Sequence, residues 1–585
     1  MRLSNNELYK AIRAGLTVGV VGLVGATGTA VAQDQDDART LERVEVVGSR
    51  IKRAEAETNQ PIFTLEREDI QAQGLTSIGD VLQNLSTNGS TLNTTFNNGG
   101  NGETRVDLRN IGSNRTLVLV NGRRWAPGTG LGGAVDLNTI PTSAIERVEV
   151  LKDGASAIYG SDAIAGVVNI ILRSNYDGAE AHAYFGEFDE GDGRRQAYDF
   201  TIGTGNDRGN VMMNASYVKE EPVFAGDREI SKEPVFGTQN LLGSSTLPSG
   251  RFRTGPGTDF RAFFTRDGTT PNANGVPDVS EFRPYTANDP YNFAPDNYLL
   301  TPQERTSIFM RGHYDIFDNL RFVGQATYNE RKSEQLLTAI PIVLGDVTTS
   351  ALASQGVISA DNVYNPFGID ITGIQRRAVE TGGRLFTQDV NTFAFTGAFE
   401  GDFMLGDKFF AWDMGYTYAE NDQNDTENGQ FNVNRLIQGL GPSFFNADGV
   451  AQCGTPDAPI ALSQCVPINF LGGVGTFTPE MINFASFQGH DVLGYKLTNY
   501  FANLSGELFS LPGGMAAFAA GYEYRRESGF DSPDAIVALG ATTGNSRLPT
   551  SGGFNGREKK SPLAPPFPPP GAVFPGAGHK LAGRD

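Results

Sequence analysis

Between residues 178 and 555, apolar side chains recur at every second position in several separate stretches. Val211, Met213, Ala215 and Tyr217 alternate with Met212, Asn214 and Ser216, and Phe322, Gly324, Ala326 and Tyr328 with Arg321, Gln325, Thr327 and Asn329. Phe393, Phe395, Gly397 and Phe399 face Thr392, Ala394, Thr396 and Glu400; Phe410, Trp412, Met414, Tyr416 and Tyr418 face Asp413 and Thr417. Ala516, Phe518, Ala520, Tyr522 and Tyr524 repeat the pattern against Gly521, Glu523 and Arg525. An aromatic-rich apolar face backed by a polar one is what a membrane strand with a wet interior requires. A soluble sandwich also alternates, so the connections decide. Short turns at 205–208, 315–319, 401–408 and 510–514 alternate with long stretches at 220–303, 333–386 and 421–494. These long stretches read as polar, unstructured insertions, uncommon in a compact soluble domain. Strict alternation of short and long connections predicts an antiparallel transmembrane β-barrel with turns at one end and loops at the other. The alternation test gives about nine strands from Gly178 onward.

The period changes ahead of residue 174. Ile70, Ile78, Val81, Leu82 and Leu85 make a short amphipathic helical pattern broken at Gly74. Residues 116–120 (TLVLV) form a buried-type strand closed by Asn121-Gly122, a tight-turn dipeptide. Residues 145–151 alternate charge with aliphatics, and 167–172 supply a last strand. Residues 50–173 are therefore expected to be a mixed α/β domain. Gly154, Gly160 and Gly166 permit turns and close backbone approach. Small residues beside them, Ala155, Ser156, Ala157, Ala163 and Ala165, permit tight packing.

The two ends differ from both patterns. Lys10 and Arg13 precede an uncharged stretch from 14 to 32 that closes Ala30-Val31-Ala32 before Gln33, the form of a secretory signal peptide over residues 1–32. Residues 33–49 read as a flexible segment, but within it Glu42, Arg43, Val44, Glu45, Val46 and Val47 make an isolated strand-former. Such a strand either opens the next domain or pairs with the edge of another protein's sheet. Residues 556–585 turn basic and Pro-rich, with a run at 565–570 that no strand accommodates. A reading-frame change near Asn555 is expected, which would account for that tail and for the small strand count; the alternative, a disordered extension, would explain the prolines but not the strand count.

Composition removes several functions. The chain of 585 residues has 47 basic and 67 acidic side chains, a formal net charge of −20, so nucleic acid is repelled. No Gly-Lys-Ser/Thr follows the glycines, which excludes a phosphate loop. The four histidines, His182, His313, His490 and His579, are scattered and no carboxylate pair stands out, so no catalytic residues are assigned and an enzyme is not expected. No cofactor and no metal site are expected. Cys453 and Cys465, in one Pro/Gly-containing segment, are placed to close a disulfide loop in an oxidising compartment.

Two stretches carry a resemblance. LRNIGSNRTLVLVNGRR at 108–124 and ERVEVLKDGASAIYGSDAIAGVVNII at 146–171 resemble the plug of TonB-dependent outer-membrane receptors, the second matching the plug's closing motif with Gly154, Tyr159, Gly160, Asp162 and Gly166. The resemblance implies a mixed α/β plug domain inside a transmembrane β-barrel of about 22 strands, of which this chain supplies the first part, residues 174–555. It makes Glu42–Val47 a TonB box, which pairs with TonB, driven by ExbB-ExbD, by strand addition. It implies the outer membrane of a Gram-negative bacterium and insertion by the barrel-assembly machinery. The implied function is TonB-dependent uptake of a scarce small-molecule or chelate ligand: siderophore-iron, cobalamin or oligosaccharide. A non-transporting remnant and a passive porin-like channel are the alternatives. Ligand contacts are expected on apical plug loops, at Asn97, Asn98 and Trp125, with Trp125 either stacking on a ligand or packing against the wall, and Arg123 and Arg124 either steering an anion or pairing with the barrel.

Overall fold

The computed structural model describes residues 62–560 apart from 73–75, 129–132, 239–241, 255–262, 268–274, 512–513 and 545–549. The N-terminal α/β domain is built on five strands: β1 (Ile62–Glu66), β2 (Thr116–Val120), β3 (Arg123–Arg124), β4 (Ile145–Leu151) and β5 (Gly166–Leu172), in the order β1-β4-β5-β2-β3. The β2–β5 pair is parallel and the others antiparallel. Strand β2 is apolar at nearly every position because both of its faces are buried. Val118, Val120, Val168 and Ile170 pack on one side with Leu108, Leu137 and Ile140. Leu117, Leu119, Leu151 and Val167 pack on the other with Ala155 and Ala163. Asn121 and Gly122 both take positive φ (49° and 73°), which makes the β2–β3 turn the tight hairpin its dipeptide predicts. Helix α1 (Arg67–Ala72) follows β1, and α2 (Ile78–Gln83) starts at Ser77, whose hydroxyl accepts the Gly79 N–H at 3.1 Å. Gly166 has φ 141°, and a Cβ there would lie 2.5 Å from the Leu151 carbonyl oxygen, so β5 starts hard against β4 only because this residue is glycine.

The second sheet is a wall of antiparallel strands, each paired with its sequence neighbours: β6 (Gly178–Gly186), β7 (Arg195–Asn206), β8 (Gly209–Glu220), β9 (Gln303–Phe317), β10 (Leu320–Leu337), β11 (Arg384–Leu405), β12 (Lys408–Phe431), β13 (Ser486–Leu511) and β14 (Gly514–Ser532). These are nine strands, as the alternation indicates. A tenth, β15 (Thr550–Lys560), pairs with β14 and carries the sheet past residue 555, where the expected tail was to begin. Among the described residues strands β6 and β15 are the outermost, each with one neighbour. The outward face is aromatic and contacts run across strands: Phe322 with Phe399 (5.3 Å between ring centroids), Phe403 with Phe410 (5.2 Å) and Tyr416 with Tyr500 (5.0 Å). The inward face is polar, with Thr327, Asn329, Arg331 and Ser333 buried on β10 and Thr392, Asn421 and Asn499 on β11, β12 and β13.

The long connections overturn the expectation of unstructured polar insertions. Within 221–302 and 338–383, segments Phe282–Pro284, Phe263–Arg266, Arg251–Arg253, Gly373–Arg377 and Pro341–Gly345 form one five-stranded sheet in that order. The connection at 432–485 packs on it, giving a shared core of Phe252, Ile342, Ile374, Leu436 and Phe470. The apolar residues of each loop are too few to form a core alone, and three loops together supply one. Cys453 and Cys465 are disulfide-bonded there, with their Cα atoms 5.9 Å apart.

Candidate functional site

The α/β domain meets the wall along a polar seam. Arg331 on β10 points inward and is fully buried, with its Nε 3.0 Å from the Asp136 carboxylate, which is also fully buried. Asp136 caps a short 3-10 turn (Leu137–Thr139), so its carboxylate is held in place by the Thr104 and Asn138 N–H groups, each at 3.0 Å. Beside it, Glu103 ion-pairs with Arg105, and burial raises the Glu103 carboxyl above the usual carboxylate range. Arg305 on β9 donates to the Thr76 carbonyl at 2.9 Å and to Asn138 Oδ1 at 3.3 Å. Glu220 at the end of β8 accepts from the Thr76 hydroxyl and from Gln303 Nε2 at 2.7 Å.

Further along, Asn121 Nδ2 donates to Gln325 Oε1 at 2.7 Å, and Arg311 on β9 donates to the Leu172 carbonyl at 3.1 Å. Arg123 pairs with Asp413 on β12 at 2.7 Å and lies 3.6 Å from the Phe501 ring centroid. On the β6–β8 side, besides the Thr76–Glu220 bond, Arg67 ties to Glu180 at 3.3 Å, Arg173 to Glu180 at 3.1 Å and to Thr201 Oγ1 at 3.3 Å, and Ser143 to Asn214 at 2.8 Å. There the seam opens into a cavity of about 330 Å³, lined on one side by Arg67, Ile70 and Asn138 and on the other by Asp199, Ser216 and Ser307. A few apolar wall residues, Met212, Phe309 and Leu497 among them, join the core of the α/β domain. The rest of the interface is hydrogen-bonded and charged, which suits a body that sits in a polar lumen.

The family model for the TonB-dependent Receptor Plug Domain matches residues 54–167. Residues 54–167 are the plug domain of a TonB-dependent receptor. Solved structures similar to the chain include the siderophore receptor PiuA from Acinetobacter baumannii (14% identity, TM-score 0.40, covering 86% of this chain and 61% of that one). The ferric citrate transporter FecA in its unliganded form is similar at 11% identity and TM-score 0.42, covering 86% of this chain and 60% of that one. The ferric-catecholate import receptor Fiu from E. coli K12 is similar at 14% identity and TM-score 0.38, over 86% and 66%. The chain thus spans about three fifths of the first of these structures. TonB-dependent receptors are non-enzymatic transporters of Gram-negative outer membranes.

With the plug identified, the expected site residues can be placed. The box at Glu42–Val47 lies outside the described residues. Asn98 is exposed on the apical loop, whereas Asn97 is buried, donating to the Leu336 carbonyl at the top of β10 (2.7 Å). Trp125 takes the packing alternative, within the plug core: it is 6% exposed and gives its indole N–H to Thr139 Oγ1 at 2.9 Å. Both arginines are engaged in ion pairs. Arg123 holds the wall, and Arg124 is braced inside the plug by the Asp162 carboxylate and the Tyr159 carbonyl, both at 2.5 Å. Asp162 and Tyr159 of the closing motif therefore position the β3 hairpin, while Gly154 sets its backbone close under the Ile164 carbonyl, 3.2 Å from where a Cβ would be, and Gly160 turns the chain at φ 87°.

One cluster brings three metal-type donors together: Glu180, His182 and Asp199 lie within 4.8 Å of one another. Glu180 already accepts from Arg67, from Arg173 (3.1 Å) and from Tyr176 (3.2 Å), and these two cations offset the charge that a metal ion would seek. Arg67, Asp136, Arg305 and Arg331 were not singled out from the sequence. The available signal was an arginine in the polar phase of a membrane strand, at 305 and 331, where a buried acidic partner must be found.

Proposed function

We propose that this chain belongs to an active transporter that carries a scarce ligand of the siderophore-iron, cobalamin or oligosaccharide type across the outer membrane, gated by the plug and coupled to TonB. The supporting observation is the polar seam: an α/β plug held by ion pairs and hydrogen bonds to the inner face of a wall whose outer face is aromatic. Ligand engages the apical plug loop around Asn98 and the loop cap above it. The box at Glu42–Val47 is offered to TonB, and a pull from the inner membrane rearranges the plug. The outer membrane holds no nucleotide energy source, so the work comes from that partner. The test is binding of a purified periplasmic TonB fragment to the whole chain in detergent. Val44→Pro, which removes a ladder N–H and blocks strand addition, is expected to abolish binding. Equal binding by both forms would falsify the coupling.

A second reading has its own support. Among the described residues strands β6 and β15 each have one neighbour, an arrangement that a non-transporting remnant would share. Outer-membrane fractionation together with heat-modifiable gel mobility separates the two: a transporter is recovered in the membrane as a folded, heat-modifiable band, whereas a remnant is degraded or aggregates.

A further inference from the structure

We infer that the cavity between the plug and strands β7–β9 is a binding site for a small uncharged phenol or aromatic alcohol, about one bicyclic ring in size, that bridges plug and wall. Its volume of about 330 Å³ stands at the lower end of the range for small-molecule sites. The site needs no coupling to TonB.

The sheet register lays out its floor. Arg305, Val218 and Ala197 stand opposite one another on β9, β8 and β7 and form one row. Ser307, Ser216 and Asp199, two residues along each strand, form the next row. Residues two apart share a face of a sheet, and all six line the cavity. Three strands at about 4.8 Å spacing and two residues at about 3.4 Å rise give a floor of roughly 10 by 7 Å. Beyond Arg305 the first row is apolar, whereas the second consists of hydroxyls and a carboxylate. The roof comes from the plug and is apolar at Ile70, Ile140 and Ile145. Such a slot takes a flat body with apolar faces and one polar edge.

Three polar atoms define that edge. Arg305 is buried, and its Nη groups are held by the Thr76 carbonyl and Asn138, but its Nε has no hydrogen-bond partner among the described residues. Thr142 Oγ1 on the plug and Asp199 Oδ1 on the wall are likewise buried without a hydrogen-bond partner among the described residues. Buried polar atoms are normally satisfied, so each of these calls for one. The first donates, the last accepts and the threonine hydroxyl does either. A ligand hydroxyl, which both donates and accepts, matches that set. Because the three atoms belong to both bodies, the occupant touches both.

Charge excludes an ion. Arg67, Arg173 and Arg305 stand against Glu180, Asp199 and Glu220, so the surroundings carry no surplus of either sign to offset a buried ligand charge.

The experiment is equilibrium dialysis of the full chain in detergent against empty micelles, with 2-naphthol as the probe. Two compounds of the same outline, 2-methylnaphthalene and 2-naphthoate, serve as controls. Saturable binding of one 2-naphthol per chain is expected, at least about fivefold tighter than either control, the size of one hydrogen bond. Val218→Phe, which fills the slot, should abolish it. Asp199→Asn, which keeps the shape and removes the charged acceptor, should weaken 2-naphthol about fivefold and leave 2-methylnaphthalene unchanged. Hydrogen exchange with 2-naphthol bound should slow at 140–145 on the plug and 197–199 on the wall, by the factor one plus its concentration over Kd, and not at Gly373–Arg377. Uptake no greater than by empty micelles overturns the site, as does binding that neither variant alters. Equal or tighter binding of either control overturns the ligand class, and slowing on one body alone overturns the bridge.

Discussion

Arg331 and Arg376 are both fully buried, and the company each keeps separates the seam from the cap. Arg331 stands on the wall, and its carboxylate partner Asp136 belongs to the plug, so the charge is neutralised across an interface. Arg376 lies in the loop cap and is neutralised within its own segment by Glu380 at 2.5 Å, four residues on. Its Nη groups also donate to the carbonyls of Asn469 and Gly473, and it sits 3.8 Å from the Phe477 ring centroid. The difference follows from what surrounds each. The seam has few apolar contacts, so when it parts, its ions and hydrogen-bonding groups meet lumen water and are resolvated. The cap holds Phe252, Ile342, Ile374, Leu436 and Phe470 in one core, and parting its loops exposes that surface at a cost water does not return. Water therefore offsets the parting of the seam and does not offset the parting of the cap.

The sharpest way to break this contrast is at Arg331. Arg331→Ala leaves Asp136 buried without its cation, and the local opening free energy of the plug segment 103–139 is expected to fall by about 3–5 kcal/mol. Adding Asp136→Leu to Arg331→Met should return most of that loss, because an apolar pair of similar size carries no stranded charge. Hydrogen exchange across 103–139 measures both. A double variant as weak as the single one would mean the seam depends on ionic attraction and not on relief of desolvation.

The cap makes the opposite demand. Leu436→Ala, in the third loop, should cost about 2–4 kcal/mol through the cavity it leaves. If the cap is a single cooperative body, faster exchange will appear together in Arg251–Arg253 and Gly373–Arg377, strands from the other two loops. Acceleration confined to 432–485 would show three loops that touch without sharing stability.

The wall and the plug were legible in the sequence because each has local signals. Alternation assigns Phe393, Phe395 and Phe399 to one face without knowledge of any partner, and Asn121-Gly122 announces its own turn. The cap was not legible, since Phe252, Ile374 and Leu436 are far apart in the chain and none lies in a periodic run. The seam was half visible. Arg123 was considered for a plug–barrel pair and Trp125 for a ligand contact, yet only burial shows that Arg123 reaches Asp413 and that Trp125 is covered. Arg67 offered no sign at all, because its three acceptors come from residues 143, 145 and 180.

The smallest effect expected is a pH dependence of the seam, and its sign discriminates. Asp80 on α2 is pushed up to about 6, first by burial and then by the Glu220 carboxylate, with Arg195 and Arg305 opposing the shift. A carboxyl whose pKa is raised on folding binds its proton more readily in the docked plug than in the open one. Docking is therefore most stable below the ordinary carboxylate pKa and weakens as pH rises through about 6, by on the order of 1–2 kcal/mol once partial screening is allowed for. Exchange at α2, corrected for the intrinsic pH dependence of amide exchange, should become easier from pH 5 to pH 7 on that account. Asp80→Asn should flatten the change while leaving the cap strands unaffected, since none of these groups lies there. A flat profile in the unmodified chain, or a profile that Asp80→Asn leaves intact, would show that the seam is held without regard to this carboxyl and that its release is set by the ion pairs alone.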